Sequence, residues 1–419
     1  MEKLTIKLYD ILLCLSNALE LLSPKLYNHH QQTAYMSYII AEHLGLPANK
    51  KRDLFYAALI HDIGTLFGSE NLEIAETETV SIKYHGFRGW RLLKNFEPLK
   101  HSAQIIKYHH VSYEYGKGMQ FENENVPEES HIIHLADRVC MAFAQKKNIL
   151  SQVGSVLDYI ESRAGSVFDP VYVEVLKKAA QKEYIWLNLF SRSPIEHIQE
   201  QICDATVLSS DETLEFTQII SHVIDFKSRF TACHSAGVAQ IAKEIARLMH
   251  FSESECIMMQ IAGHLHDIGK LAVSNKILEK DNVLEIHEYA EMKAHTYYTY
   301  HLLNIVPEFS IIKEWAAYHH EKLNGNGYPF HLSGENLTLG SRIMTVSDIF
   351  AAITEDRPYR KGMEKEKAVN VLEQMVERNE IDKNVVKVLF ENYDNILQVR
   401  KKAQKAALIE FDKFTAPFV

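Results

Sequence analysis

The chain has 419 residues, 46% hydrophobic and 24% charged, with a formal net charge of −10, a balance that suits two or three soluble globular domains. The acidic excess excludes the broad basic face that a nucleic-acid polymer requires and leaves room only for a local pocket binding a small anion. Five scattered cysteines without a CxxC pair exclude a thiolate metal site and a disulfide framework, and point to reduced thiols in the cytoplasm.

The first stretch, MEKLTIKLYDILLCLSNALELL, is broken by Lys7, Asp10 and Glu20. That is too polar for a membrane span or a signal peptide, so an amphipathic helix of the fold is expected and no membrane partner. His29, with His30 beside it, opens a segment of helical period, followed by ALIHDIG at 58–64, His85, YHH at 108–110 and IIHLADRVCMAF at 132–143. The stretch SRSPIEHIQE, with Pro194 among serines, is the best boundary and divides the chain into 1–195 and 196–419.

The same order then returns. His29 and His234, like His61 and His266, are 205 residues apart; YHH recurs at 318–320, and Asp137 pairs with Asp348 in IMTVSDIFAAI. Offsets that hold within a helix and grow between helices are those of a duplicated module with loop insertions. Val238, Ile241, Ile245 and Leu248 recur at helical spacing, as do Ile257, Ile261, Leu265 and Ile268, and Ile343, Val346, Phe350 and Ile353. The expected fold is all-α, with two tandem helical bundles related by internal duplication.

Into these apolar patterns the second copy inserts His234, His266-Asp267, His295, His319-His320 and Asp348. A lone histidine on an apolar helix is usually a hydrogen-bonded core residue. Two copies carrying these types in the same order exceed what packing requires. Imidazole and carboxylate without thiolate suit iron, manganese, nickel or zinc, and seven such groups exceed the needs of one tetrahedral ion. Two divalent ions are expected, with Asp267 as the bridging carboxylate; such pairs lower the pKa of a shared water and clamp the oxygens of a phosphoryl group. His319 and His320 would point about 100° apart on a regular helix, so both are placed near the second ion without finer assignment. His264, with Leu59 as its counterpart, is read as core or outer support. In NGNGYP, Gly325 and Gly327 permit positive φ and close backbone approach, while Tyr328 offers a ring and a hydroxyl, together suggesting a substrate lip.

HDIGK, HHEKLNGNGYP and SDIFAAITEDRPYR resemble the HD-GYP phosphodiesterases, a branch of the HD metal-dependent phosphohydrolases, over about residues 225–400. The resemblance implies a helical domain with a binuclear non-haem centre, commonly iron or manganese, that opens cyclic di-GMP or a cyclic GMP-AMP hybrid in second-messenger signalling. It places His234, His266, Asp267, His295, His319, His320 and Asp348 on the metal, Lys270 on the scissile phosphate, and Arg357 and Arg360 near the substrate phosphates. Family members with a third metal carry a glutamate where this chain has Phe230, so two ions are implied. Asn324 replaces an aspartate of the loop, and Thr296 and Thr299 replace a common proline and glycine.

The first copy retains His29, His61, Asp62, His85, His109, His110 and Asp137, but Thr65 replaces the lysine and HHVSYEYGKGM replaces the GYP loop. It resembles a general HD domain, which implies either a metal site of its own with a second hydrolase activity, such as a 5′-nucleotidase, or a packing and sensing role. The competing reading of the whole chain is a non-catalytic module that binds a cyclic dinucleotide and recruits a partner. A homodimer and signalling partner proteins are both compatible with the sequence.

Overall fold

The computed structural model describes residues 4–23, 27–65, 80–144, 148–202, 206–227, 233–280, 282–356 and 361–416. Arg357, Arg360 and Phe230 lie outside the described residues. The described residues are all-α apart from short two-residue strands, and the chain separates into two compact units, Leu15–Thr206 and Met1–Cys14 with Val207–Val419. The first division falls inside helix α1 (Leu8–Glu20). The opening residues go with the later unit because β1 (Ile6–Lys7) pairs antiparallel with β4 (Val207–Leu208). Pro194, at the expected boundary, opens a short 3-10 turn (Pro194–His197).

The unit Leu15–Thr206 is built on α2 (His29–His43), α3 (Ala48–Leu59), α4 (Val80–Leu93), α5 (Lys100–Lys107) and α6 (Glu128–Met141). A hairpin of β2 (Gln120–Phe121) and β3 (Glu124–Asn125) precedes α6, and α7 (Ile149–Glu161), α8 (Pro170–Ala179), α9 (Glu183–Leu189) and α10 (Gln199–Ile202) complete the unit.

The other unit opens with α11 (Ser210–Asp225) and repeats the set α2–α6 as α12 (His234–Leu248), α13 (Glu253–Leu265), α15 (Ile286–Leu303), α16 (Ser310–Ala317) and α17 (Leu339–Thr354). The short α14 (Asn275–Leu278) is inserted, and α18 (Lys365–Glu377), α19 (Lys383–Glu391) and α20 (Tyr393–Thr415) follow. Val238, Ile241 and Ile245 of α12 and Ile261 of α13 are fully buried, each stabilising the unit by roughly 1.5–3 kcal/mol. Helix α13 starts where it does because of a capping box: the Ser252 hydroxyl accepts from the Glu255 amide at 3.3 Å, and the Glu255 carboxylate accepts from the Ser252 amide at 2.8 Å.

The glycine of each HDIG motif has a steric reason. A Cβ on Gly269 would lie 1.9 Å from the carbonyl oxygen of His295, and one on Gly64 would lie 2.0 Å from that of His85. The turn after each HD pair therefore presses directly on the backbone of the helix bearing the next histidine. No side chain fits between them. The Gly269 amide donates to Thr299 Oγ1 at 3.1 Å, and that hydroxyl donates to the His266 carbonyl at 3.0 Å, so Thr299 ties the two segments together.

Gly269→Ala is expected to lower stability by about 1–3 kcal/mol, the usual cost of overpacking, read as a lower denaturant midpoint. Gly154→Ala, on α7 with nothing near its would-be Cβ, should be neutral or stabilising by about 0.5–1 kcal/mol; equal effects of the two would contradict the close approach at Gly269.

Candidate metal centre

In the C-terminal unit His234 is the first residue of α12, His266 follows α13 directly, and Asp267 leads into a 3-10 turn (Ile268–Ala272). His295 lies on α15 and Asp348 on α17. Helix α16 ends at Ala317, so His319 and His320 stand in the turn beyond it. The regular-helix conflict expected for this adjacent pair does not arise.

Three of these imidazoles are aimed by the same device. Nδ1–H of His266 donates to the Gly263 carbonyl at 2.9 Å, that of His295 to Met292 at 2.6 Å and that of His319 to Ala316 at 2.7 Å. Each bond selects the tautomer whose Nε2 lone pair faces inward.

The inward atoms form two sets. His234, His266 and Asp348 bring donor atoms within 4.8 Å of one another, and so do His295, His319 and His320. Asp267 stands between them: Oδ2 is 3.1 Å from His266 Nε2, while Oδ1 is 3.5 Å from His295 Nε2 and 3.8 Å from His319 Nε2. His234 Nε2 meets Asp348 Oδ1 at 3.0 Å, and His320 Nδ1 is 4.0 Å from Asp348 Oδ2.

The donors suit divalent metal. His266 Nε2 and Asp267 Oδ1 are buried without a hydrogen bond, an arrangement that is costly unless something else compensates those atoms. Nitrogen and oxygen donors a few ångströms apart match ligands about 2.0–2.2 Å from a shared ion. Burial depresses the His295 imidazole to about 3 and holds those of His319 and His320 below their ordinary value. Burial pushes Asp267 and Asp348 upward, but His266 and Lys270 around Asp267, and His234 and His320 around Asp348, hold both carboxyls well below the usual range. Neutral imidazoles and ionised carboxylates are the forms that bind a cation. His234 differs: burial would depress it, but the Glu355 and Asp348 carboxylates raise it to about 10.

Around this centre, Lys270 Nζ pairs with Asp267 Oδ2, and the half-buried Tyr328 ring lies 4.9 Å from that of His320. Gly325 has a φ of +75°, whereas Gly327 is not in the left-handed region, so the positive φ expected at both positions holds only for Gly325. Gly327 is needed because a Cβ there would lie 2.4 Å from Glu321 Cα and Lys322 N. The Glu321 carboxylate holds the rest of the lip by accepting from the amides of Phe330 at 2.7 Å and Leu332 at 3.0 Å. His264 is buried, and burial beside His222 depresses it to about 3.

Two supporting residues escaped sequence reading. Glu355 lies seven residues after Asp348, two helical turns on, and its Oε2 sits 3.1 Å from His234 Nδ1 while accepting from Gln404 Nε2 of α20 at 3.1 Å. His234 opens its helix, and the Glu355 carboxylate orients its ring. Lys227 Nζ donates to the carbonyls of Lys270, Leu271 and Val273 at 3.2, 2.9 and 2.7 Å, holding the turn that presents Lys270. The helical face shared with Asp348 was a signal for Glu355; Lys227 had none, since its acceptors are backbone atoms more than forty residues away.

The N-terminal unit repeats the geometry. Asp62 Oδ2 is 3.5 Å from His61 Nε2 and Oδ1 is 3.2 Å from His85 Nε2; His29 Nε2 meets Asp137 Oδ1 at 3.2 Å. His85 Nε2 lies 3.0 Å from His109 Nε2 and 3.1 Å from His110 Nε2. His61 and His109 again donate Nδ1–H to carbonyls three residues back, Ala58 at 2.8 Å and Ile106 at 2.7 Å. Thr65, at the place of Lys270, donates its hydroxyl to the Asp62 carbonyl at 2.8 Å.

Family models described as HD domain match residues 26–142 and 218–385. The chain belongs to the HD-domain family, with one copy of the domain in each half. It is 28% identical over 407 residues to 3′3′-cGAMP-specific phosphodiesterase 1 of Vibrio cholerae, covering 94% of both chains. It is 34% identical over 141 residues to a cyclic di-GMP phosphodiesterase of Pseudomonas aeruginosa, covering 33% of this HD-domain protein and 34% of that one. A crystal structure of a V. cholerae cyclic GMP-AMP-specific phosphodiesterase shares the fold, with a TM-score of 0.65, 24% identity, and coverage of 93% and 98% of the two chains.

Glu355→Gln keeps the size of the side chain and removes its charge from His234. Metal affinity of the C-terminal centre should fall by about 10–100-fold, as it does when such outer partners are lost, with little change in melting temperature; titration with Mn(II) under competition by a chelator measures it.

Proposed function

We propose that the C-terminal unit hydrolyses a phosphodiester of a cyclic dinucleotide, 3′,3′-cyclic GMP-AMP or cyclic di-GMP, to the linear dinucleotide. The observation that carries this reading is the convergence of His234, His266 and Asp348 on one side of Asp267, and of His295, His319 and His320 on the other. That arrangement suits two divalent ions; the donors accept several metals, and iron or manganese is chosen on the resemblance of the motifs. Bound there, the ions supply an activated water and neutralise charge on the phosphoryl oxygens. The relative matched over nearly its whole length acts on cyclic GMP-AMP by its name, which favours that substrate.

The chain's own groups do the rest. Asp267 presents one carboxylate oxygen to each set of imidazoles and holds Lys270 at the same place. The Lys270 ammonium stabilises charge that builds on the phosphoryl oxygens and is a proton donor for the departing 3′ oxygen. The Tyr328 ring beside His320 forms the lip against which the nucleotide rests, with Gly327 shaping the backbone. Arg357 and Arg360 complete the phosphate contacts by their place in the motif.

The N-terminal unit holds a second metal centre on His29, His61, Asp62, His85, His109, His110 and Asp137, supported by the repeated geometry around Asp62. Without a cation at the Thr65 position it is suited to a different phosphate ester, such as the terminal 5′-phosphate that ring opening leaves on the linear dinucleotide. No helix among the described residues is long and apolar enough to cross a membrane. Cys14, Cys140, Cys233 and Cys256 are free thiols, which accords with a cytoplasmic site of action; Cys203 lies outside the described residues.

Incubation of the iron- or manganese-loaded chain with both cyclic dinucleotides should give linear product. Lys270→Met should lower kcat by about 10²–10³-fold, the usual cost of one lost donor to the transition state, at unchanged metal content. Asp267→Ala should abolish ring opening, and Asp62→Ala should spare it. Tight nucleotide binding with no turnover in the loaded wild type would favour a sensing module instead.

A further inference from the structure

We propose that His30 is an additional metal ligand in the N-terminal unit, so that one of its ion positions has five protein donors where the equivalent C-terminal position has four. This rests on the proposal that the N-terminal unit binds metal, and it adds a residue outside the duplicated ligand pattern.

The starting observation is a buried imidazole without hydrogen bonds. His30 is fully buried, and neither ring nitrogen meets a hydrogen-bond partner in good geometry, an arrangement whose cost calls for another partner. Its Nε2 lies 3.5 Å from Asp62 Oδ2, on the same oxygen that His61 Nε2 approaches at 3.5 Å. His30, His61 and Asp62 bring donor atoms within 4.8 Å of one another, and so do His29, His61 and Asp137. His61 and the neighbouring carboxylates thus join the two groups. The rings of His29, His30 and His61 are mutually 5.2–5.6 Å apart, three imidazoles arranged around one centre.

The position is built for this purpose. In the C-terminal unit the residue 205 places later is Ser235, and the counterpart of Glu20 is Asp225. Ser235 satisfies itself on that aspartate, Oγ at 2.7 Å and backbone N at 3.0 Å, and does not reach the centre. In the N-terminal unit both members of the pair differ. Glu20 accepts from the backbone amides of Asn28 at 2.9 Å and His30 at 3.2 Å, which pins the start of α2, while His30 Nδ1 is 3.8 Å from Glu20 Oε1, beyond hydrogen-bond reach. Successive helical residues diverge by about 100°, and here that divergence sends His29 to Asp137 and His30 to Asp62.

A further change matches. Arg138 donates to Asp137 Oδ2 at 2.7 and 3.0 Å, leaving Oδ1 beside His29, whereas the residue after Asp348 is Ile349. The donors for this ion are then His29, His30, His61, Asp62 and Asp137, against His234, His266, Asp267 and Asp348. Five protein donors would leave an ion fewer free positions than four, so an ion bound in the N-terminal unit would be held more firmly and would have less room for water and a phosphate oxygen together.

The test uses the full chain carrying Asp267→Ala to disable the C-terminal centre, with Mn(II) stoichiometry and affinity measured by equilibrium dialysis and the visible spectrum recorded with Co(II). His30→Ser should raise the Mn(II) dissociation constant at least tenfold and shift the cobalt bands. The double variant His30→Ser with Glu20→Asp, which recreates the pair that folds in the other unit, should do the same. Unchanged affinity and an unchanged cobalt spectrum in both variants would overturn the ligand assignment while leaving the N-terminal metal centre standing. A folded Asp267→Ala chain that binds no Mn(II) would instead overturn that centre, and this proposal with it.

Discussion

An ionised carboxylate buried between two groups of imidazoles is the constraint on which each unit depends. Asp267 and Asp62 each turn one oxygen toward one set of histidines and the other oxygen toward the second. Removing such a charge from water costs several kcal/mol, and the cost is tolerable only where opposite charge gathers around it. Bound divalent metal would satisfy this, and it would also give the surrounding imidazole lone pairs somewhere to go.

The helices meet the constraint largely through their ends. An α-helix leaves its last carbonyls without intrahelical partners. His266, His319, His61 and His109 lie just beyond helix ends and use those carbonyls to orient their rings. One hydrogen bond thus closes the helix and selects the tautomer of a ligand. The exceptions are informative: His295 uses a carbonyl of its own helix, and His234, at the opposite end of a helix, depends on Glu355. The HDIG glycine has a matching role, because only its missing side chain lets the turn after the carboxylate lie on the helix that carries the next histidine.

Against this shared frame, the two copies differ where substrate and water would approach. Lys270 faces Asp267 in one unit, and Thr65 bonds to its own turn in the other. Ser235 and Asp225 answer to His30 and Glu20, and Ile349 to Arg138. These changes leave the carboxylate between its two sets of imidazoles in place and alter the charge and the polar groups around it, while the core that the two copies share is kept.

The amino-acid sequence alone determined the all-α class, the internal repeat and the order of histidines and aspartates, because helical period and identical spacing are local properties that survive without coordinates. Tertiary structure decided what depends on distant backbone. The grip of Lys227 on three carbonyls, the bond by which Gln404 holds Glu355, and the closeness of Gly269 to His295 leave no pattern in neighbouring letters. The same holds for β1, whose partner strand lies about two hundred residues along the chain, and for the His319-His320 pair, whose orientation depends on where α16 stops. Periodicity tells which face of a helix is apolar; where that helix ends, and which carbonyls it offers there, is settled only when the neighbouring segments pack against it.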